Sequence, residues 1–255
     1  MTAPIIVIDS GLGGISVLKK LVACMPNENY LYFGDSANVP YGTRPREEIV
    51  RLATQAVRGL LSASPKAVVI ACNTATAFAK AQVQALVPSL PVFGVHPTVL
   101  QAEAAGCRRI LTLATASTLS SDSYAELLAQ LSVQTEVVSI PAPGIVPYVE
   151  DGLRDRDGII AYLKETLAPV IEKPVEAVVL GCTHFPFAKD VIRAALGYDV
   201  RFFDAADEVA PEVMRTLERL GTRETRAFSG SVEFRNSKNT AQMLADSWAL
   251  FAQPL

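Results

Sequence analysis

The sequence predicts an α/β protein, built as two pseudo-symmetric three-layer α/β/α domains with mainly parallel sheets and a functional site in the cleft between them. Three observations predict it. Strand-like and helix-like runs alternate almost throughout the 255 residues, the rhythm of parallel sheets covered by helices on both faces. A short segment occurs twice, as A-V-V-I-A-C at 67–72 and A-V-V-L-G-C at 177–182. The opening block I-I-V-I-D-S at 5–10 is echoed more weakly by I-L-T-L-A-T at 110–115. Two similar halves imply two domains, 97–206 forming the second and 1–96 joined by 207–255 forming the first.

The elements follow in order. Residues 5–8 read as a buried strand, and 14–24 carry Ile15, Leu18, Leu21 and Val22 at helical spacing. Residues 30–33 form a second strand. A polar loop from Asp35 to Pro45 is longer than a usual connection, which marks it for function. Helix 46–62, strand 67–71, a helix of about 74–87, strand 91–95 and a helix with Pro97 in its first turn complete the first half. The second half repeats the pattern: strand 109–113, helix 117–131, strand 135–140, a Pro-rich connection 141–147, helix 157–171, strand 177–181, a helix from 186 and strand 199–203. The tail reads as helix 205–220, a short strand near 226–232 and helix 238–251. Its unpaired strand is expected to return to the first domain.

Composition narrows the function. Half of the residues are hydrophobic and 19% charged, enough to bury a large core. A net charge of −3 gives no basic face for nucleic acid. No apolar run approaches the ~20 residues of a membrane span, and the start I5-I6-V7-I8 lacks a preceding basic region. A cytoplasmic location is expected. The four cysteines, at 24, 72, 107 and 182, show no C-x-x-C spacing, so neither a disulfide framework nor a zinc ribbon is expected.

Cys72 and Cys182 each close one copy of the repeated strand. Ligands of open α/β sheets bind beyond the carboxyl ends of the strands, and a helix start there offers free N–H groups that favour a thiolate or carboxylate. A free cysteine is more often a small buried apolar residue. The equivalence of these two argues for a mirrored pair: one thiolate removes a proton from a stereocentre while the opposite thiol supplies one to the other face. A modest depression of a thiol pKa would keep one as thiolate near neutral pH. Cys24 and Cys107 receive no role. Asp9 and Ser10 end the first strand before G-L-G-G, which lacks the third glycine of a dinucleotide fingerprint; Asp9 is expected near one thiol. His184, two residues past Cys182, is expected near the other. A C-x-H metal site has no companion ligands in the sequence, so no metal is expected.

The segments V-I-D-S-G-L-G-G (7–14), Y-F-G-D-S-A-N-V-P-Y-G (32–42), A-C-N-T-A-T (71–76), L-A-T-A-S-T (113–118) and L-G-C-T-H-F-P-F (180–187) closely resemble the bacterial glutamate racemases. These are cofactor-independent members of the aspartate/glutamate racemase superfamily. The resemblance implies Cys72 and Cys182 as the proton-transfer groups, with Asp9 supporting the first and His184 the second. It implies that Ser10, Tyr41, Gly42, Asn73, Thr74 and Thr183 hold the substrate's ammonium and carboxylates together with Asp9 and His184, and that Thr115 and Thr118 add to the lining. It further implies interconversion of L- and D-glutamate for peptidoglycan, no cofactor, a homodimer, and in some members a peptidoglycan-precursor activator. His96, Ala205 and Ile140-Pro141-Ala142 depart from the family's habits. The other readings are a racemase of aspartate or hydantoin, a malonate decarboxylase, and a racemase-like binding or inhibitor protein. The decarboxylases keep a single cysteine, which argues against them here.

Overall fold

The computed structural model describes residues 3–226 and 229–255. Among them, nine strands form two sheets in which every pairing is parallel. The strands are β1 (Ile5–Asp9), β2 (Tyr30–Gly34), β3 (Ala67–Ile70), β4 (Val92–Gly94), β5 (Arg109–Ala114), β6 (Glu136–Pro141), β7 (Ala177–Gly181), β8 (Arg201–Asp204) and β9 (Val232–Asn236). The first sheet runs β4-β3-β1-β2-β9 and the second β6-β5-β7-β8. Read from the other edge, β8-β7-β5-β6 repeats β4-β3-β1-β2 strand for strand. The pseudo-symmetry is therefore topological, and β9 is the one addition. β1, β3 and β7 are buried along their whole length, which explains why their sequences are unbroken aliphatic runs and do not alternate.

The chain crosses between the sheets twice, after β4 and after β8. The helix Ala206–Arg219 that follows β8 packs on the helix Ile15–Cys24 of the first half. Among the described residues, no helix is long and apolar enough to cross a membrane.

Several elements differ from the sequence reading, each for a local reason. Helix 117–131 is two pieces, Ala116–Leu119 and Asp122–Leu128. Ser121 ends the first by capping the second, its hydroxyl accepting the Tyr124 N–H. Helix 157–171 divides into Arg156–Thr166 and Ala168–Ile171, with Pro169 opening the second. Pro97 lies before the cap residue Thr98, outside the helix Val99–Ala104. The helix expected from 186 starts as a tight turn, Phe185–Ala188, before Lys189–Leu196. The Pro-rich connection 141–147 runs into the helix Ile145–Glu150. Pro147 falls in its first turn, where a missing N–H costs nothing.

The tail strand sits later than 226–232, at Val232–Asn236, and residues 227 and 228 of the expected strand lie outside those described. It pairs with β2 at the edge of the first sheet. Phe234 anchors it, edge-on to Tyr32, Trp248 and Phe251 at ring separations of 5.6, 4.7 and 5.8 Å. Lys19 holds the end of the final helix through the carbonyls of Phe251 and Gln253. Because Phe234 is the hub of this cluster, Phe234→Ala is expected to cost about 3–5 kcal/mol, read as a lower denaturant midpoint; a shift too small to resolve would show that the tail is not held by this packing.

Candidate active site

Most of the predicted site residues lie at the carboxyl ends of central strands, while Tyr41 and Gly42 come from the turn Tyr41–Thr43 in the loop after β2. β1 delivers Asp9 and Ser10, β3 leads to Cys72, Asn73 and Thr74, β5 leads to Thr115, and β7 leads to Cys182, Thr183 and His184. Parallel pairing in register, Ile8 with Ile70 in one sheet and Ala114 with Gly181 in the other, brings these ends level. The two sheets then close on one cavity. Its lining includes Ser10, Tyr41, Gly42, Cys72, Asn73, Thr74, Thr115, Cys182, Thr183 and His184, together with Pro40, Val146 and Gly181. The two thiols thus come from different sheets into the same space. Asp9 and Thr118 stand just behind this lining.

Cys72 caps the helix Asn73–Leu86. Its sulfur accepts the Ala75 N–H at 3.4 Å, and its S–H donates to Ser10 Oγ at 3.7 Å. Burial dominates its acidity, reinforced by the Asp9 carboxylate, and pushes the thiol from 9.0 up to about 12. The thiolate expected of one of the two thiols is therefore not Cys72 in the ligand-free protein: one N–H at the sulfur does not offset removal from water. Burial also raises the Asp9 carboxyl above its ordinary range. Asp9 accepts the Gly11 N–H at 2.8 Å and the Thr183 hydroxyl at 3.1 Å, so it ties the first sheet's floor to the turn that carries Cys182.

Cys182 is equipped differently. Its sulfur lies 3.7 Å from His184 Nδ1, and His184 Nε2 lies 2.8 Å from Glu150 Oε1. Burial disfavours the imidazolium, but the bonds to Cys182 and Glu150 outweigh it and hold His184 well above the ordinary histidine range. Burial likewise disfavours the Glu150 carboxylate, and the bonds from His184, Leu12 N–H and Ser36 hold it below the ordinary range. The glycine loop serves this pair: a Cβ at Gly11 would lie 2.1 Å from Glu150 Oε1, and one at Gly13 would lie 2.3 Å from the His184 ring. Those glycines allow a close approach of backbone to side chain, not only a tight turn.

The sequence reading missed Glu150. It ends the helix hidden in the Pro-rich stretch, and an acidic residue there carries no motif of its own. Tyr41 donates to Asp35 at 2.7 Å, which fixes the expected functional loop. Across the cleft, Ser117 Oγ donates to the Gly42 carbonyl at 2.6 Å, and the Thr74, Thr115 and Thr118 hydroxyls form a triangle with sides of 3.0, 3.0 and 3.4 Å. Asn73 is buried with both side-chain amide atoms unpartnered, which leaves them for a ligand. The cavity between these side chains has room for about one water. The site is contracted, and an amino acid enters only if its walls part. Wider grooves lie elsewhere, against Tyr148 and Tyr162 and at the crossovers beside His96 and Ala205; neither contains a predicted thiol. Cys107 accepts from Arg201 away from the cavity.

Two thiols in unlike surroundings, one from each pseudo-symmetric lobe, face one polar cavity at the carboxyl ends of parallel strands, where open α/β sheets bind small ligands. The chain belongs to the Asp/Glu/Hydantoin racemase family, whose profile matches residues 5–213. It is 35% identical to the glutamate racemase of Clostridium perfringens over 95% of this chain and 94% of that one. Among solved structures it resembles the Francisella tularensis glutamate racemase in complex with D-glutamate (TM-score 0.84, 29% identity, 100% and 95% of the two chains). It also resembles the Escherichia coli glutamate racemase in complex with L-glutamate and the activator UDP-MurNAc-Ala (TM-score 0.84, 25% identity, 98% and 95%).

The pH dependence of Cys72 checks the electrostatics. In the ligand-free protein, its alkylation by brief iodoacetamide pulses, followed by peptide mass spectrometry, is expected to keep accelerating as pH rises past 9 towards 12. A plateau near neutral pH would show a depressed thiol instead.

Proposed function

We infer that this chain is a glutamate racemase that interconverts L- and D-glutamate by two-base proton transfer and needs no cofactor. The observation that carries the reading is that Cys72 and Cys182, from opposite sheets, line one cavity in a chain whose relatives over nearly the full length are glutamate racemases.

The proposed cycle balances simply. A thiolate on one side takes the α-proton, leaving a carbanion conjugated with the carboxylate. The thiol on the other side gives its proton to the opposite face, and the thiolate and thiol have exchanged sides. In one direction the neutral Cys72 thiol donates while the sulfur of Cys182, beside a protonated His184, accepts. In the other direction Cys72 must ionise. A substrate ammonium entering this dry space supplies the positive charge that favours it, while Asp9 behind Ser10 stands ready to hold that ammonium. Asn73, with both amide atoms free, and Ser10, Tyr41, Gly42, Thr74 and Thr183 are the proposed substrate contacts. Thr115 supplements them, and Thr118 holds the Thr74 and Thr115 hydroxyls in place. Closure excludes water from a weakly acidic C–H, which strengthens every charge interaction inside.

The reading extends to a peptidoglycan role, a cytoplasmic location and a homodimer, with domains at 1–96 plus 207–255 and 97–206. The activator named with the Escherichia coli structure makes a peptidoglycan-precursor effector part of the same proposal.

In deuterated water the purified protein is expected to exchange the α-hydrogen of either glutamate enantiomer while racemising it, with no pyridoxal phosphate or metal added. Cys72→Ala and Cys182→Ala are each expected to lose racemisation by at least about a thousandfold, as removal of an acid–base group from a concerted pair does; full activity in either would refute the two-thiol assignment.

Closure can be tested separately. Ser117→Ala removes one neutral hydrogen bond across the mouth and is expected to raise KM about two- to tenfold without lowering kcat. Equal losses in both constants, or none, would remove Ser117 from the closing motion.

A further inference from the structure

The chain beyond residue 213 lies outside the segment matched by the family profile, yet it sends one side chain to the centre described above. Asn236, the last residue of β9, is buried opposite Gly34. Its Oδ1 accepts the Lys238 N–H at 3.0 Å. That bond fixes which way the amide points, so Nδ2 is the end that donates to Ser36 Oγ, at 2.9 Å. With that donor on its oxygen, the Ser36 hydroxyl turns its own hydrogen to Glu150 Oε2, at 3.2 Å. The other Glu150 oxygen takes the Leu12 N–H at 2.6 Å and His184 Nε2 at 2.8 Å, and His184 Nδ1 meets the Cys182 sulfur at 3.7 Å. The polarity of the whole chain follows from its far end.

We propose that Asn236 and Ser36 are positioning residues for Cys182: a one-way chain of donors from the tail strand keeps Glu150 an accepting carboxylate and thereby keeps the proton on His184. The proposal rests on the two-thiol reading above. Its physical basis is that a buried carboxylate stays ionised when each oxygen receives donors, and that a base is held in one orientation by a third group behind it. Ser36 is 2% exposed and Asn236 7%, so water does not replace either donor. Three ionisable groups face His184, namely Cys182, Glu150 and Asp9. Of these, Glu150 alone is reached by the tail. Asn236 lines neither the cavity nor either thiol, and the hydrogen-bonded route from its side chain to Cys182 runs through Ser36.

The test is a double-mutant cycle with the titration of His184 as its reading. The chain has two histidines, and a His96→Gln background leaves one ring to follow by nitrogen NMR in the ligand-free protein. Ser36→Ala and Asn236→Ala are each expected to lower the His184 titration on the order of half a pH unit, about threefold in proton affinity. The double variant should show no more than Ser36→Ala alone, because coupled members of one network are not additive. The limb of the kcat/KM profile assigned to His184 should move by the same amount. Asn236→Ser, which keeps a small polar side chain without the amide, repeats the test should Asn236→Ala fail to fold. An unmoved titration in a folded variant, or additive shifts, would overturn the proposal. Because the titration is read without turnover, a protein that did not racemise glutamate would still report on this network, and the two failures remain distinct.

Discussion

The buried pair of Glu150 and His184 is the contact on which the site depends. It joins a helix of the second lobe to the turn after β7 and rests on the first lobe's glycine loop, where Leu12 N–H reaches Glu150. With His184 2% and the Glu150 side chain 10% exposed, loss of one partner leaves a charge without water or counter-charge, a cost of about 3–5 kcal/mol. The sequence around it is shaped by that constraint. Gly11 and Gly13 have no room for a side chain, and Pro147 sits in the first turn of the helix that ends in the acid.

A symmetric scaffold carries asymmetric chemistry. The strand orders of the two sheets match and each thiol follows the equivalent strand, yet Cys72 is surrounded by burial and a neighbouring carboxylate while Cys182 has an imidazolium. In the proposed two-thiol cycle one group gives while the other takes, and unequal surroundings bias which of the two holds the proton at rest. Burial holds the proton on Cys72, and the raised His184 stands beside the Cys182 sulfur. The contracted cavity is bridged at its mouth as well, where Ser117 Oγ donates to the Gly42 carbonyl.

Much of this was legible in the sequence, and what was hidden has identifiable causes. The thiols, Asp9 and His184 could be read because each follows an unbroken aliphatic run that can only be a buried parallel strand. That there are two similar parallel sheets followed from the repeat, whereas their strand orders became visible only in the structure. Glu150 could not be read, since its helix begins inside a Pro-rich stretch and its partner is distant in sequence. The role of the glycine loop could not be read, because close approach of backbone to a side chain from another lobe leaves no local mark. Which of the two thiols would keep its proton could not be read: helix N–H groups were visible in the pattern, and the depth of burial at Cys72 was not. Asn236 carries no motif, and its place depends on a strand added from the far end of the chain.

The most direct measurement is a crystal structure of this protein with D- or L-glutamate bound. The account predicts the α-carbon between the Cys72 and Cys182 sulfurs, one facing each side of it, with the Asn73 amide now hydrogen-bonded to the ligand. Glutamate seated with both sulfurs on one face, or held in a different groove altogether, would contradict it.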